Sequence, residues 1–253
     1  MIGFKLQGTI GSAFLISLLL SPNIAVASGL QVSPISLRLQ AKENASGLTL
    51  SNTGDEQIHA QVRVYQWIQN QTGDQLNPSR GLLASPPMII LDSGDKQLVR
   101  IIRATAPPQG EKAVEDTYRI VVDEIPTQST EAKSGLQFNL SYSLPVFVQP
   151  AGVAKTQPQL QWHYHLLPDN KQIKLSVNNS GNGHAKLSGL SFIDTTGNRT
   201  DIRSGLLGYV LPGATMHWTL KIPPSVLVAG GKFKVMINGN EATPNITLDN
   251  TIR

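Results

Sequence analysis

The residues best placed to do chemistry in this 253-residue chain are five histidines, the adjacent carboxylates Asp123 and Glu124, and two arginines set among apolar neighbours, Arg100 and Arg119. There is no cysteine, which excludes thiol nucleophiles, disulfide frameworks and cysteine metal sites. His163 and His165 are two residues apart, so in a strand they share a face, as a two-histidine metal site requires. No acidic cluster stands nearby to complete such a site, and the pair reads as an exposed strand face; no metal is expected. Asp123 and Glu124 are neighbours in a strand and point to opposite faces, which separates them for shared acid–base work. G-x-S-x-G, the P-loop and H-E-x-x-H are all absent. No hydrolase triad can be assembled, so the chain is read as a non-enzyme with no cofactor. Arg100 in Gln97-Leu-Val-Arg100 and Arg119 in Tyr118-Arg119 leave two readings open. Each stands on a solvated strand face, or lines a cleft where its guanidinium would grip a carboxylate in a bidentate fork.

These side chains must be positioned by strands. Lys5, the apolar run Ser12–Leu20, Pro22 and the small-residue site Ala25-Val-Ala27 read as a secretory signal peptide over 1–27, cleaved on export. The apolar run is shorter than the ~20 residues that span a bilayer, so no membrane insertion of the mature protein is expected. The formal charge of +4 becomes +3 when Lys5 leaves, and the basic residues are scattered, which argues against nucleic acid as a partner. The remainder shows short alternating runs: Gln61–Trp67, Met88–Leu91, Gln97–Ile102, Tyr118–Val122, Leu160–His165, Gln172–Val177, Met216–Leu220 and Lys232–Ile237. Turn residues separate them, the pattern of an all-β sandwich protein. Ala151–Pro158 reads as a linker, which divides the mature chain into domains 28–152 and 153–253. No internal repeat is evident. Trp67, Trp162 and Trp218 lie in alternating strands and are expected in cores.

One run raises a question. In Gly135-Leu-Gln-Phe-Asn-Leu-Ser-Tyr-Ser-Leu-Pro145, Leu136, Phe138, Leu140, Tyr142 and Leu144 share one strand face, and amides or hydroxyls fill the other. Alternation alone fits any sandwich strand packed on its own core. Pro145 lacks a backbone donor and is expected to limit pairing beyond it.

A family resemblance bears on that question. Asn52-Thr-Gly, Val62-Arg-Val with Trp67, Ser85-Pro-Pro87, Gln97-Leu-Val-Arg100, Tyr118-Arg119 through Glu124-Ile-Pro126, and Ser143-Leu-Pro-Val-Phe147 occur in this order. The series, over roughly Leu30–Pro150, resembles the periplasmic pilus-assembly chaperones of the chaperone–usher pathway. Tyr118-Arg119, Ser143–Phe147 and Gly208-Tyr-Val-Leu-Pro-Gly213 resemble its archaic branch. The resemblance implies two immunoglobulin-like β-sandwich domains arranged in an L, a periplasmic location, and pilus subunits and an outer-membrane usher as partners. It implies that Leu136, Phe138, Leu140, Tyr142 and Leu144 form a donor strand, laid along the groove of a subunit that lacks its last strand. In the best-known branch an arginine and a lysine hold the subunit's terminal carboxylate. Here the corresponding places fall near Ser36 and Pro145, which carry no charge; Arg38 and Lys42 are close but poorly aligned. Arg119 is the first choice for that anchor and Arg100 the second. The alternative function is an exported adhesive or carbohydrate-binding sandwich, which would expose aromatic platforms. A pilus subunit is a further alternative, disfavoured by two domains with an internal donor-like strand.

Overall fold

The computed structural model describes residues 29–126, 138–168, 171–222 and 230–248. The leader 1–27 and Leu136 lie outside these residues. Every regular element among the described residues is a strand. In the first sandwich, β1 (Leu30–Ser33), β3 (Ala45–Asn52), β8 (Lys96–Arg103) and β6 (Leu82–Ser85) form one sheet in that order. The facing sheet runs β2 (Leu37–Leu39), β10 (Ser141–Val148), β9 (Asp116–Ile125), β4 (Ile58–Asn70) and β5 (Gly73–Pro78), with β7 (Met88–Leu91) also on β4. The second sandwich packs the sheet β15 (Thr215–Lys221), β12 (Gln172–Asn179), β11 (Leu160–Leu166), β18 (Ile246–Leu248) on β14 (Arg199–Val210), β13 (Ala185–Asp194), β16 (Gly231–Ile237), β17 (Asn240–Ala242).

The period-2 pattern decides what faces inward. On β8, Val99 and Ile101 are fully buried, while Leu98, Arg100 and Ile102 point outward. On β12, Ile173, Leu175 and Val177 are inside. Trp67 and Trp162 are buried as expected, and Trp218 packs partly buried against the second core. Gly208, at φ 155°, is where that indole approaches: a Cβ there would come within 2.9 Å of the Trp218 ring.

Both sandwiches use one device that the sequence did not present as a repeat. Asn52 is buried; its Nδ2 donates to Glu56 O (2.7 Å) and Leu91 O (3.1 Å), and its Oδ1 accepts from Gly54 N–H (2.9 Å). Asn179 is equally buried; Nδ2 donates to Gly183 O (2.8 Å) and Val210 O (3.0 Å), and Oδ1 accepts from Gly181 N–H and Gln159 N–H. Each Asn-x-Gly ends a strand by satisfying backbone groups that a turn would orphan.

Candidate functional site

β10 pairs with β9 along its whole length but with β2 only over Val146–Val148. The N–H of Glu124 donates to Leu140 O at 2.9 Å. Antiparallel alternation therefore turns the backbone groups of Tyr142, Leu144 and Val146 toward β9, and those of Ser141, Ser143 and Pro145 toward the other side. There Ser141 and Ser143 meet no strand among the described residues. This corrects one expectation. The strand covers Ser141–Val148; Phe138–Leu140 precede it, Leu136 lies outside the described residues, and the strand runs straight through Pro145. The missing N–H of Pro145 belongs to the outer side, so the ladder to β9 loses nothing.

The apolar face is graded along the chain. Val146, Val148 and Leu144 belong to the core of the first sandwich. Tyr142 is half-buried, with its hydroxyl donating to Leu30 O at 2.7 Å. Leu140 is half-buried against the same core, and Phe138 is 71% exposed. The first residues are bracketed by the two neighbouring carboxylates of β9. On the outer face Asp123 accepts from Ser141 Oγ (2.6 Å) and pairs with Arg63. Partial burial works to raise its pKa, but the hydrogen bonds from Ser141 and Arg63 prevail and hold it below the usual carboxylate range. On the inner face Glu124 Oε2 accepts from Leu140 N–H at 3.1 Å.

Arg119 stands beside Pro145 on the outer face of β9. Its guanidinium carbon lies 3.8 Å from the centre of the Trp67 ring and 5.5 Å from that of Tyr209, so it sits where the two sandwiches meet. Nη1 donates to Ser143 O at 3.3 Å. Burial lowers the guanidinium pKa, while Asp74 and Tyr209 draw it back up. No carboxylate is in ion-pair contact with Arg119 among the described residues. Arg100 is on the outer face of the other sheet, between exposed Leu98 and Ile102, and the fold does not bring it to Arg119 or β10. His163 and His165 share the outer face of β11; His163 Nδ1 is 2.8 Å from Thr247 Oγ1. No metal-binding group of three or more His, Asp or Glu occurs among the described residues.

The contact between the sandwiches is the part least visible in the sequence. Glu115, fully buried, accepts from the backbone N–H of His184 (2.9 Å) and lies 2.5 Å from its Nδ1. The His184 ring stacks on Phe147 of β10, and Gln69 bonds Tyr209 O (3.0 Å) and Leu211 N–H (2.8 Å). Tyr209 lies within the Gly208–Gly213 motif, so a signal existed, but the Gln69 side chain that bonds this segment is 140 and more residues away in the chain.

A profile of the pili and flagellar-assembly chaperones, PapD N-terminal domain, matches residues 29–154, the sandwich that carries β10, Arg119 and Trp67. The chain belongs to the PapD-like pilus-assembly chaperones. Among curated relatives, the chaperone protein PmfD of Proteus mirabilis (strain HI4320) is 28% identical over 152 residues, 60% of this chain; the match spans 58% of that chaperone's length. Among solved structures, the CsuC–CsuE chaperone–tip adhesion subunit pre-assembly complex from the archaic chaperone–usher Csu pili of Acinetobacter baumannii is similar at a TM-score of 0.66 and 25% identity. That likeness covers 87% of this chain and 99% of the other, so it extends over both sandwiches of the PapD-like chain. The E. coli chaperone DraB shares the fold at a TM-score of 0.58 and 16% identity, covering 87% of this chain and 97% of its own.

Proposed function

We propose that this chain is a periplasmic chaperone that binds pilus subunits by donor-strand complementation, keeps them soluble, and passes them to an outer-membrane usher. The observation that carries this reading is the apolar face that continues from β10 through Leu140, still packed on the protein's own core, to Phe138 in solvent, beside an edge at Ser141 and Ser143 that no strand among the described residues pairs. Such an edge invites pairing with another chain. A subunit strand supplies the hydrogen bonds, and pockets in its groove receive alternate side chains. Leu136, Phe138 and Leu140 are the side chains lent; Tyr142 and Leu144 root the strand at home. Each lent side chain buried in a groove is worth about 1.5–3 kcal/mol before the costs of association.

Arg119 is the anchor for the subunit's terminal carboxylate. It holds a partly desolvated positive charge at the junction of the two sandwiches, against the Trp67 face and next to the strand that would carry the subunit. Residues 1–27 direct export and are removed, and the mature domains are 28–152 and 153–253. The Tyr118-Arg119 and Gly208–Gly213 motifs, with the likeness to the Csu chaperone complex, favour the archaic branch. The carbohydrate-binding alternative loses its platforms, since Trp67 and Trp162 are buried.

Co-expression with a pilus subunit from the same genome tests the reading: a soluble one-to-one complex is expected. Phe138→Glu should abolish that complex while the free chain keeps its melting temperature, because the ring is exposed. A Phe138→Glu chain that still holds the subunit in solution would end the proposal.

A further inference from the structure

Where β10 begins, one backbone bond departs from the pattern of the sheet. Leu140 and Glu124 are directly opposite, and the N–H of Glu124 donates to Leu140 O at 2.9 Å, half of a regular antiparallel exchange. The returning bond from Leu140 N–H should reach the main-chain carbonyl of Glu124. It reaches the side-chain Oε2 of Glu124 instead, at 3.1 Å. A carboxylate is the stronger acceptor, and a side chain that bonds nearby main chain competes with the ladder. The ladder is regular from Ser141 onward, and Ser141 is itself tied by its hydroxyl to Asp123 at 2.6 Å. Phe138–Leu140 are not strand, and Phe138 stands 71% exposed.

From this geometry we infer that Glu124 is a positioning residue: its carboxylate ends the sheet at Leu140, the last of these side chains to touch the home core, and so leaves Phe138 standing in solvent beyond it. The inference deepens the chaperone reading and rests on it. Glu124 touches no subunit group. It acts through Leu140, by setting where the home strand stops and the donated one starts. Asp123, on the opposite face, secures Ser141 and so prevents the release from travelling further along β10.

The test compares Glu124→Ala with Glu124→Gln in the full chain, with two readouts. Amide hydrogen exchange followed by NMR should quicken at Leu140 by about tenfold in Glu124→Ala, because a charge-assisted bond is lost. In Glu124→Gln the amide oxygen still accepts, and exchange should stay within about threefold of the unaltered chain. Tyr142 and Leu144, bonded to β9, should be unchanged in both. Capture of a recombinant pilus subunit from the same genome should weaken by about tenfold in Glu124→Ala and recover in Glu124→Gln. Unchanged exchange at Leu140 overturns the inference. So does altered exchange with undiminished capture, since Glu124 would then be only a strand cap. If the unaltered chain captures no subunit, the chaperone reading falls, and the exchange arm alone still decides whether Glu124 ends the strand.

Discussion

The phenyl ring of Phe147 lies on the imidazole of His184, with ring centroids 3.5 Å apart and planes 4° from parallel. One residue comes from β10 of the first sandwich, the other from the second sandwich. His184 is held in turn by Glu115, whose carboxylate is fully buried. The far end of β10 is thus clamped between domains while its near end is open.

Removing His184 should therefore cost far more than a surface change. His184→Ala takes the imidazole from the buried Glu115 carboxyl, which keeps the backbone N–H of residue 184, and removes the ring stacked on Phe147; a buried polar group left short of a partner costs about 1–3 kcal/mol, before the lost packing. Denaturant melts should show the drop, and Phe147→Ala in the same background should add less than its separate effect, because the two share one contact.

The graded face of β10 predicts a sharp contrast in stability. Leu144→Ala deletes a side chain from the core of the first sandwich and should cost about 2–5 kcal/mol. Phe138→Ala removes an exposed ring and should change stability by no more than about 0.5 kcal/mol, yet weaken subunit capture. Thermal melts and pull-down of a subunit check the two halves separately. Equal loss of stability at both positions would mean that Phe138 is core.

Arg119→Ala should reduce capture by about tenfold or more, with the fold retained, and Arg119→Lys should not restore it. An ammonium cannot offer the planar fork that matches a carboxylate, nor lie flat on Trp67. Titration calorimetry with the subunit, and with a version of it ending in an amide, reads the effect; the amide should bind both chains equally. If Arg119→Ala binds at full strength, the anchor is elsewhere and Arg100→Ala is the next variant.

A pH effect belongs to the second sandwich. His217 has its pKa lowered by burial first, then by Lys174 and His165 on the same sheet face. The unfolded chain binds this proton more readily than the folded one, so the contribution is present above about pH 6.5 and is lost as pH falls toward the lower folded value. His217→Asn should flatten the acid limb of the stability curve, and Lys174→Ala should move the His217 NMR titration upward. A titration unaffected by Lys174→Ala would discount that cause.

How far the sequence carries this molecule differs from element to element. Met88–Leu91 and the cores of β4, β8 and β9 were legible because each is a short apolar or alternating run with turn residues close behind it: Asp92-Ser-Gly94 after Met88–Leu91, Asn70 at the end of β4, Pro107-Pro108 after β8 and Pro126 after β9. The start of β10 at Ser141 could not be read, because the alternation of Phe138, Leu140 and Tyr142 runs unbroken across it while Leu140 N–H bonds the Glu124 side chain; periodicity records faces, not hydrogen bonds. Pro145 misled for a related reason, since only register says which side a missing donor faces. Arg119 could be singled out for its apolar neighbours, but Trp67 beneath it and Tyr209 beside it come from other parts of the chain. The Glu115–His184–Phe147 clamp had no local signal at all.

The edge of β10 that β2 leaves uncovered is short. It ends where β2 begins to pair at Val146, and the residue just before that, Pro145, has no N–H to offer. Only the carbonyls and amides of Ser141 and Ser143 are left on that side, a length that admits about one turn of the ladder and no more.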